Sequence, residues 1–272
     1  MRYRTLALLL SALLVAPLLS LGLPGCATTG LNQGDFNLIS LEEEWELGRR
    51  LEADLAKQLT LVRDAAVHGT VDRIGQALVR RTTMAERPWK FHVVRDPAIN
   101  AFNIPGGHVY VNTGLIAAAP DVASFAGVMA HEISHGVARH GTEQLSKAYG
   151  FQMLAGLVLG QDPATYEQIL AQIVAGGTFA SFSRDAEREA DQLGVRTMYE
   201  AGYDPGGMAR MFEVLLAQRQ RQPGSVQRFF SSHPLTETRI RDVRDQAAAL
   251  PPKQGLIRTD AGFQQIQRRV GG

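Results

Sequence analysis

The stretch Val128-Met129-Ala130-His131-Glu132-Ile133-Ser134-His135 decides how this chain is read. Its apolar positions continue a helical pattern that begins near Asp121 and stops at His140-Gly141, where glycine suits a left-handed cap. On that helix His131 and His135 stand four residues apart, about one turn, so both imidazoles can reach one ion from the same face. Glu132, beside the first histidine, is placed to hold a water on that ion. The chain has one cysteine in 272 residues. A metal site must therefore be built from histidines and carboxylates, and no intrachain disulfide exists.

Zinc needs a third protein ligand and an open fourth position. His140 lies five residues past His135, about 140° round a continuing helix and away from the metal face. It reads as a residue complementing the dipole at the helix C-terminus. The segment Ser183-Arg184-Asp185-Ala186-Glu187-Arg188-Glu189-Ala190-Asp191 offers a better donor. Glu187 and Asp191 are four apart and share a face, while Glu189 lies off it. Glu187 is the expected third ligand, and Asp191 the carboxylate that orients a ligating histidine.

Working outward, Ser40-Leu41-Glu42-Glu43 forms a capping box for a helix running to about Leu61, and a second amphipathic helix fits from about Asp64 to Thr82. Residues 89–95, 99–103 and 108–112 read as strands of a small antiparallel sheet, with Pro105-Gly106-Gly107 as the turn. Further helices fit at about 164–176, 183–201, 205–221 and 236–250. The apolar stretch Phe151 to Gly160 is too short to span a bilayer and reads as a core helix or a flap over a cleft. The fold class expected is α+β, mainly helical, with a small antiparallel sheet beside the HExxH helix.

Lys plus Arg number 28 and Asp plus Glu 27, so no basic surface supports a nucleic-acid partner. Arg2 and Arg4 precede an uncharged run from Leu6 to Leu23 that closes on Pro24-Gly25-Cys26, the layout of a signal peptide. The run is nearly long enough to span a bilayer, which makes a retained anchor helix the alternative. The cysteine favours the first reading, because Leu23, Gly25 and Cys26 resemble the bacterial lipobox. By that resemblance residues 1–25 are removed, Cys26 carries the lipid, and Ala27 after it favours the outer membrane. Losing two arginines and no acids takes the formal charge from +1 to −1. Residues 26–39 then form a tether, 40–250 the enzymatic domain and 251–272 a C-terminal extension.

His131 to Gly141 (HEISHGVARHG) followed by Ser183 to Gly194 (SRDAEREADQLG) resembles the HtpX and CAAX-prenyl-protease type of zinc metallopeptidase, in particular its periplasmic lipoprotein branch. The likeness spans about residues 35–250 and includes Asn100-Ala101-Phe102, Pro105-Gly106-Gly107 and Val111-Asn112-Thr113-Gly114-Leu115. It implies a zincin-like (gluzincin) domain with one zinc held by His131, His135 and Glu187, Glu132 as general base and Asp191 behind a ligand. His233, in Ser232-His233-Pro234, would lie near the zinc, at times in its open position, and Arg239 would steady the oxyanion. The 108–112 strand, or the neighbouring strand with Asn100, Ala101 and Phe102, would accept an extended substrate by backbone pairing. The implied activity is endopeptidase hydrolysis of misfolded or unassembled envelope proteins in the periplasm, at the outer membrane, by a water activated at the zinc. The chain has no spans inside this region and no room for a C-terminal repeat domain, so prenyl-protein processing is not expected. A lipoprotein chaperone or assembly scaffold with a structural or regulatory metal is the alternative.

Overall fold

A computed structural model describes residues 36–176 and 181–271. The run read as a signal peptide, Cys26 and most of the segment read as a tether lie outside the described residues. The chain opens with helix α1 (Leu41–Gln58), whose Ser40 hydroxyl accepts from the Glu43 amide while the Glu43 carboxylate accepts from the Ser40 amide, the expected capping box. Helix α2 (Ala65–Val79) is capped by the Asp64 carboxylate, which accepts from the amides of Ala66 and Val67.

Three strands follow: β1 (Lys90–Val94), β2 (Ala101–Ile104) and β3 (His108–Asn112), in the order β1-β3-β2. The β2–β3 hairpin is antiparallel as expected, and its turn needs glycine, since Gly106 and Gly107 both have positive φ (83° and 76°). The sheet is nevertheless mixed and not wholly antiparallel, because β1 pairs parallel with β3. The 95–100 connection carries the chain past β3 to its far side before the hairpin returns. β3 is therefore central, with both edges paired, and cannot accept an added strand. Of the two candidates for that role only β2 remains.

Short α3 (Thr113–Ala118) leads to α4 (Val122–Val137), the HExxH helix, capped by Asp121. α4 is buried all round, with every residue from Val122 to His135 shielded from solvent. Packed against it are α7 (Arg184–Glu200), α8 (Gly206–Arg221), α2 and β2. The approach of α8 is close enough that a Cβ on Gly127 would lie 2.6 Å from the Met208 Cα, and one on Gly207 2.4 Å from the Ala123 carbonyl. Gly127→Ala is therefore expected to cost about 1–3 kcal/mol of stability by forcing the helices apart. A urea midpoint equal to wild type would show that the two helices can yield.

α5 (His140–Val158) is broken at Gly150 (φ 67°). Its second half, with α6 (Pro163–Gly176), covers the outer face of α1, and Leu154, Leu157, Ile169 and Ile173 meet Leu51 and Leu55. The apolar stretch at 151–160 thus contributes Leu154 and Leu157 to the core, as expected of a core helix. α9 (Pro223–Ser232), α10 (Glu237–Ala249) and α11 (Ala261–Val270) complete the chain. α11 lies in the segment read as an extension, yet Phe263 and Ile266 are buried in the main core. Gln267 also donates to the carbonyls of Ile116 and Ala119 (3.0 and 2.8 Å), so packing shows no boundary at residue 250.

The sheet divides the core in two. Phe91, Val93, Val109 and Val111 face α2 and α4, while Phe102, Ile104 and Tyr110 face α1. On the α1 face the rings of His108, His92, Tyr110 and Phe102 stack in a ladder, with centroids 5.7, 4.5 and 4.9 Å apart in turn. Burial there pushes His92 and His108 down to about 4, against the pull of Glu52, so both are neutral at physiological pH.

Candidate metal centre

Four elements bring the expected residues together. α4 supplies His131, Glu132 and His135, and α7, started by the Ser183 cap, supplies Glu187 and Asp191. His233 caps the C-terminus of α9, and Arg239 sits in the first turn of α10. The Nε2 atoms of His131 and His135 are 3.1 Å apart; the Glu187 carboxylate lies 3.5 Å from the first and 3.3 Å from the second. His233 Nδ1 is 2.9 Å from Glu187 and 3.3 Å from His131 Nε2. All four side chains are at most 1% exposed.

These separations suit a metal. Donors about 2.0–2.1 Å from a tetrahedral zinc stand about 3.3 Å from one another. Glu132 adds an independent sign. Both its carboxylate oxygens are buried and accept no hydrogen bond among the described residues, although His233 Nε2 is 3.3 Å from Oε1. A buried carboxylate left so is costly unless a cation or polar ligand belongs beside it. Burial accordingly raises the Glu132 carboxyl above the usual range. Burial also holds His135 well below its ordinary value, neutral as a ligand must be. At Glu187 burial works the other way from the net result, because His233, His131 and His135 around it keep its carboxyl well below the usual range.

Behind the donors, Asp191 Oδ1 lies 3.0 Å from His131 Nδ1, the orienting position expected for it. The oxyanion role expected of Arg239 is corrected by its surroundings. Its Nε and Nη2 donate to the two oxygens of Asp191 at 2.8 Å each, and its Nη1 donates to the Pro234 carbonyl and pairs with Glu187. The guanidinium fork is engaged by the two carboxylates and the Pro234 carbonyl, and all three charged side chains are buried, an arrangement suited to positioning the carboxylates.

His140 also departs from expectation. α4 ends at Val137, Arg139 takes left-handed backbone (φ 61°), and His140 begins α5. The chain therefore turns back, and His140 Nδ1 comes to 2.9 Å from His135 Nδ1, with Glu189 3.3 Å from its other nitrogen. The 140° angle assumed an unbroken helix. His140 and Glu189 thus stand behind His135 as Asp191 stands behind His131. His140→Ala is expected to weaken metal affinity about 10- to 100-fold, read by competition with a chelator, while an unchanged affinity would remove His140 from the site.

Sequence patterns had not marked two further residues. Phe182 stacks on His135 (4.0 Å between centroids), and its amide donates to the Ser232 carbonyl, next to His233. The Asn103 side chain donates to the Glu132 carbonyl at 2.7 Å, tying strand β2 to the metal helix. Asn100, Ala101 and Phe102 lie on or just before that strand, all buried. Asn112 donates to Asn100, so the alternation of the ladder turns the backbone groups of Ala101 and Asn103 away from β3.

Comparison with known proteins agrees with this geometry. A profile of peptidase family M48 matches residues 65–247. The mitochondrial metalloendopeptidase OMA1 of Schizosaccharomyces pombe is 29% identical over 217 residues, covering 79% of this chain and 64% of its own length. A putative beta-barrel assembly-enhancing protease of Vibrio cholerae is 30% identical over 223 residues (79% of this chain, 46% of the relative). The beta-barrel assembly-enhancing protease of Escherichia coli K12 is 28% identical over 253 residues (86% and 49%). The chain thus spans between about half and two thirds of the length of these relatives.

Proposed function

The chain belongs to peptidase family M48, and from that premise we propose that it is a zinc metalloendopeptidase that hydrolyses peptide bonds in misfolded or unassembled cell-envelope proteins. The observation that carries this reading is the convergence of His131, His135 and Glu187, with the buried Glu132 carboxylate, which accepts no hydrogen bond among the described residues, beside them. These three side chains would hold the zinc, and His233, 2.9 Å from Glu187 and 3.3 Å from His131 Nε2, would have to give way for substrate to reach it. When bound, zinc supplies Lewis acidity, making water able to lose a proton near neutral pH and polarising a carbonyl.

The chain's own groups do the rest. Glu132 takes a proton from the attacking water and delivers it to the leaving nitrogen. His233 Nε2, beside Glu132, can donate to the developing oxyanion once it has swung off Glu187. The backbone groups of Ala101 and Asn103, which turn away from β3 but are buried (0% and 7% exposed), would pair with an extended substrate once uncovered; of the expected Asn100, Ala101 and Phe102 this keeps Ala101, and it adds Asn103. Backbone pairing of this kind selects unfolded chains over folded ones.

The envelope location rests on the signal-like run and Cys26, proposed as a lipidated anchor to the outer membrane, and on the beta-barrel assembly named for two relatives. Among the described residues no helix is long and apolar enough to cross a membrane. The test is to offer zinc-loaded protein an unfolded outer-membrane β-barrel chain and the same chain folded. Cleavage of the unfolded form, stopped by a chelator, is expected. No cleavage of any unfolded chain would overturn the reading.

A further inference from the structure

On the α1 face of the sheet, away from the metal helix, a second set of donors converges. His92 in β1 and His108 in β3 are diagonal neighbours on the same face, since His108 stands opposite Lys90 and His92 opposite Tyr110. His92 Nε2 and His108 Nδ1 are 3.4 Å apart, and Glu52 of α1 brings one oxygen to 3.7 Å from the first and the other to 3.8 Å from the second. We propose that Glu52, His92 and His108 form a second zinc site, which clips α1 to the two parallel strands beneath it.

The ring ladder fixes both imidazoles edge-on to Glu52, so the nitrogens are held in place before any ion arrives. Their spacing equals that of two nitrogens on a tetrahedral zinc, about 3.3 Å, and a small movement of Glu52 brings its oxygen within the same range. Two neutral imidazoles with one carboxylate suit zinc better than calcium or magnesium, which prefer oxygen. The partly exposed Glu52 and His92 leave a route for the ion and a fourth position for water.

Lys90 is the competitor. Its ammonium lies 2.9 and 2.7 Å from the two Glu52 oxygens, but its side chain is about half exposed and can swing into solvent. A carboxylate has lone pairs for both partners, so zinc need displace Lys90 from one oxygen only. If the cluster were simply an ion pair beside stacked rings, removing Lys90 would not affect zinc. If it is a metal site, removing Lys90 tightens it.

The experiment is zinc titration with metal analysis of the full chain, in wild type, Glu187→Gln, His108→Gln and Lys90→Met. Two zinc ions per chain are expected in wild type and one in each of Glu187→Gln and His108→Gln. Lys90→Met keeps both histidines and is expected to bind the second zinc about threefold more tightly, which keeps the test decisive should His108→Gln fail to fold. One zinc or none in wild type, with no second equivalent in Lys90→Met, overturns the proposal. Loss of an ion in His108→Gln but not in Glu187→Gln would instead sink the Glu187 assignment and leave this site standing.

Discussion

Glu132→Gln is expected to lower kcat on a peptide substrate by about 10²–10⁴-fold while leaving zinc content and the unfolding midpoint near wild type. The amide keeps the volume of the carboxylate but cannot take a proton from water. Because neither Glu132 oxygen accepts a hydrogen bond among the described residues, the exchange disturbs only the 3.3 Å approach of His233 Nε2 to Oε1. It also removes a buried charge, so no loss of stability should accompany the loss of rate. The same variant separates the protease from the scaffold, since a chaperone or assembly factor has no use for that proton acceptor. An envelope defect rescued equally by Glu132→Gln would favour the scaffold.

Arg239→Met carries the largest expected effect on stability. Arg239 is buried between Asp191 and Glu187, with its fork engaged by the two Asp191 oxygens at 2.8 Å and a ring face of Phe212 5.1 Å from its guanidinium carbon. Methionine fills much of the space but leaves two buried carboxylates without their cation, which costs about 3–5 kcal/mol. Zinc should be lost with it, because Asp191 would no longer hold His131 in line. Arg239→Lys is not expected to rescue, since a single ammonium cannot bridge both Asp191 oxygens in the fork geometry. Denaturant unfolding with metal analysis reads both effects. A variant with wild-type midpoint and full zinc would show that Arg239 plays no part in holding the centre.

Much of this centre was legible because it sits on unbroken helices. His131 and His135, and Glu187 and Asp191, are each one turn apart, and a turn is a distance that residue spacing states directly. The capping box at Ser40 and the Pro105-Gly106-Gly107 turn were readable for a like reason, since local chemistry set local backbone. What escaped depends on where the chain turns. Arg139 adopts left-handed backbone without being glycine, and that one residue returns His140 to His135. The parallel β1–β3 pairing follows from how the 95–100 connection passes the sheet, which strand patterns do not encode. Arg239 lies beside Asp191 and Glu187, but which oxygens its fork meets is a matter of tertiary packing that residue spacing does not state. α9 and α11 are short helices at the end of the chain, and Phe182 reaches His135 from outside any regular element.

If His131, His135 and Glu187 hold a catalytic metal, the ion must sit between them, and anomalous diffraction at the zinc edge, from crystals of zinc-loaded protein active in solution, locates it. A peak about 2.0–2.2 Å from both histidine Nε2 atoms and a Glu187 oxygen is the predicted result. Active, zinc-loaded crystals with no peak at that position would contradict it.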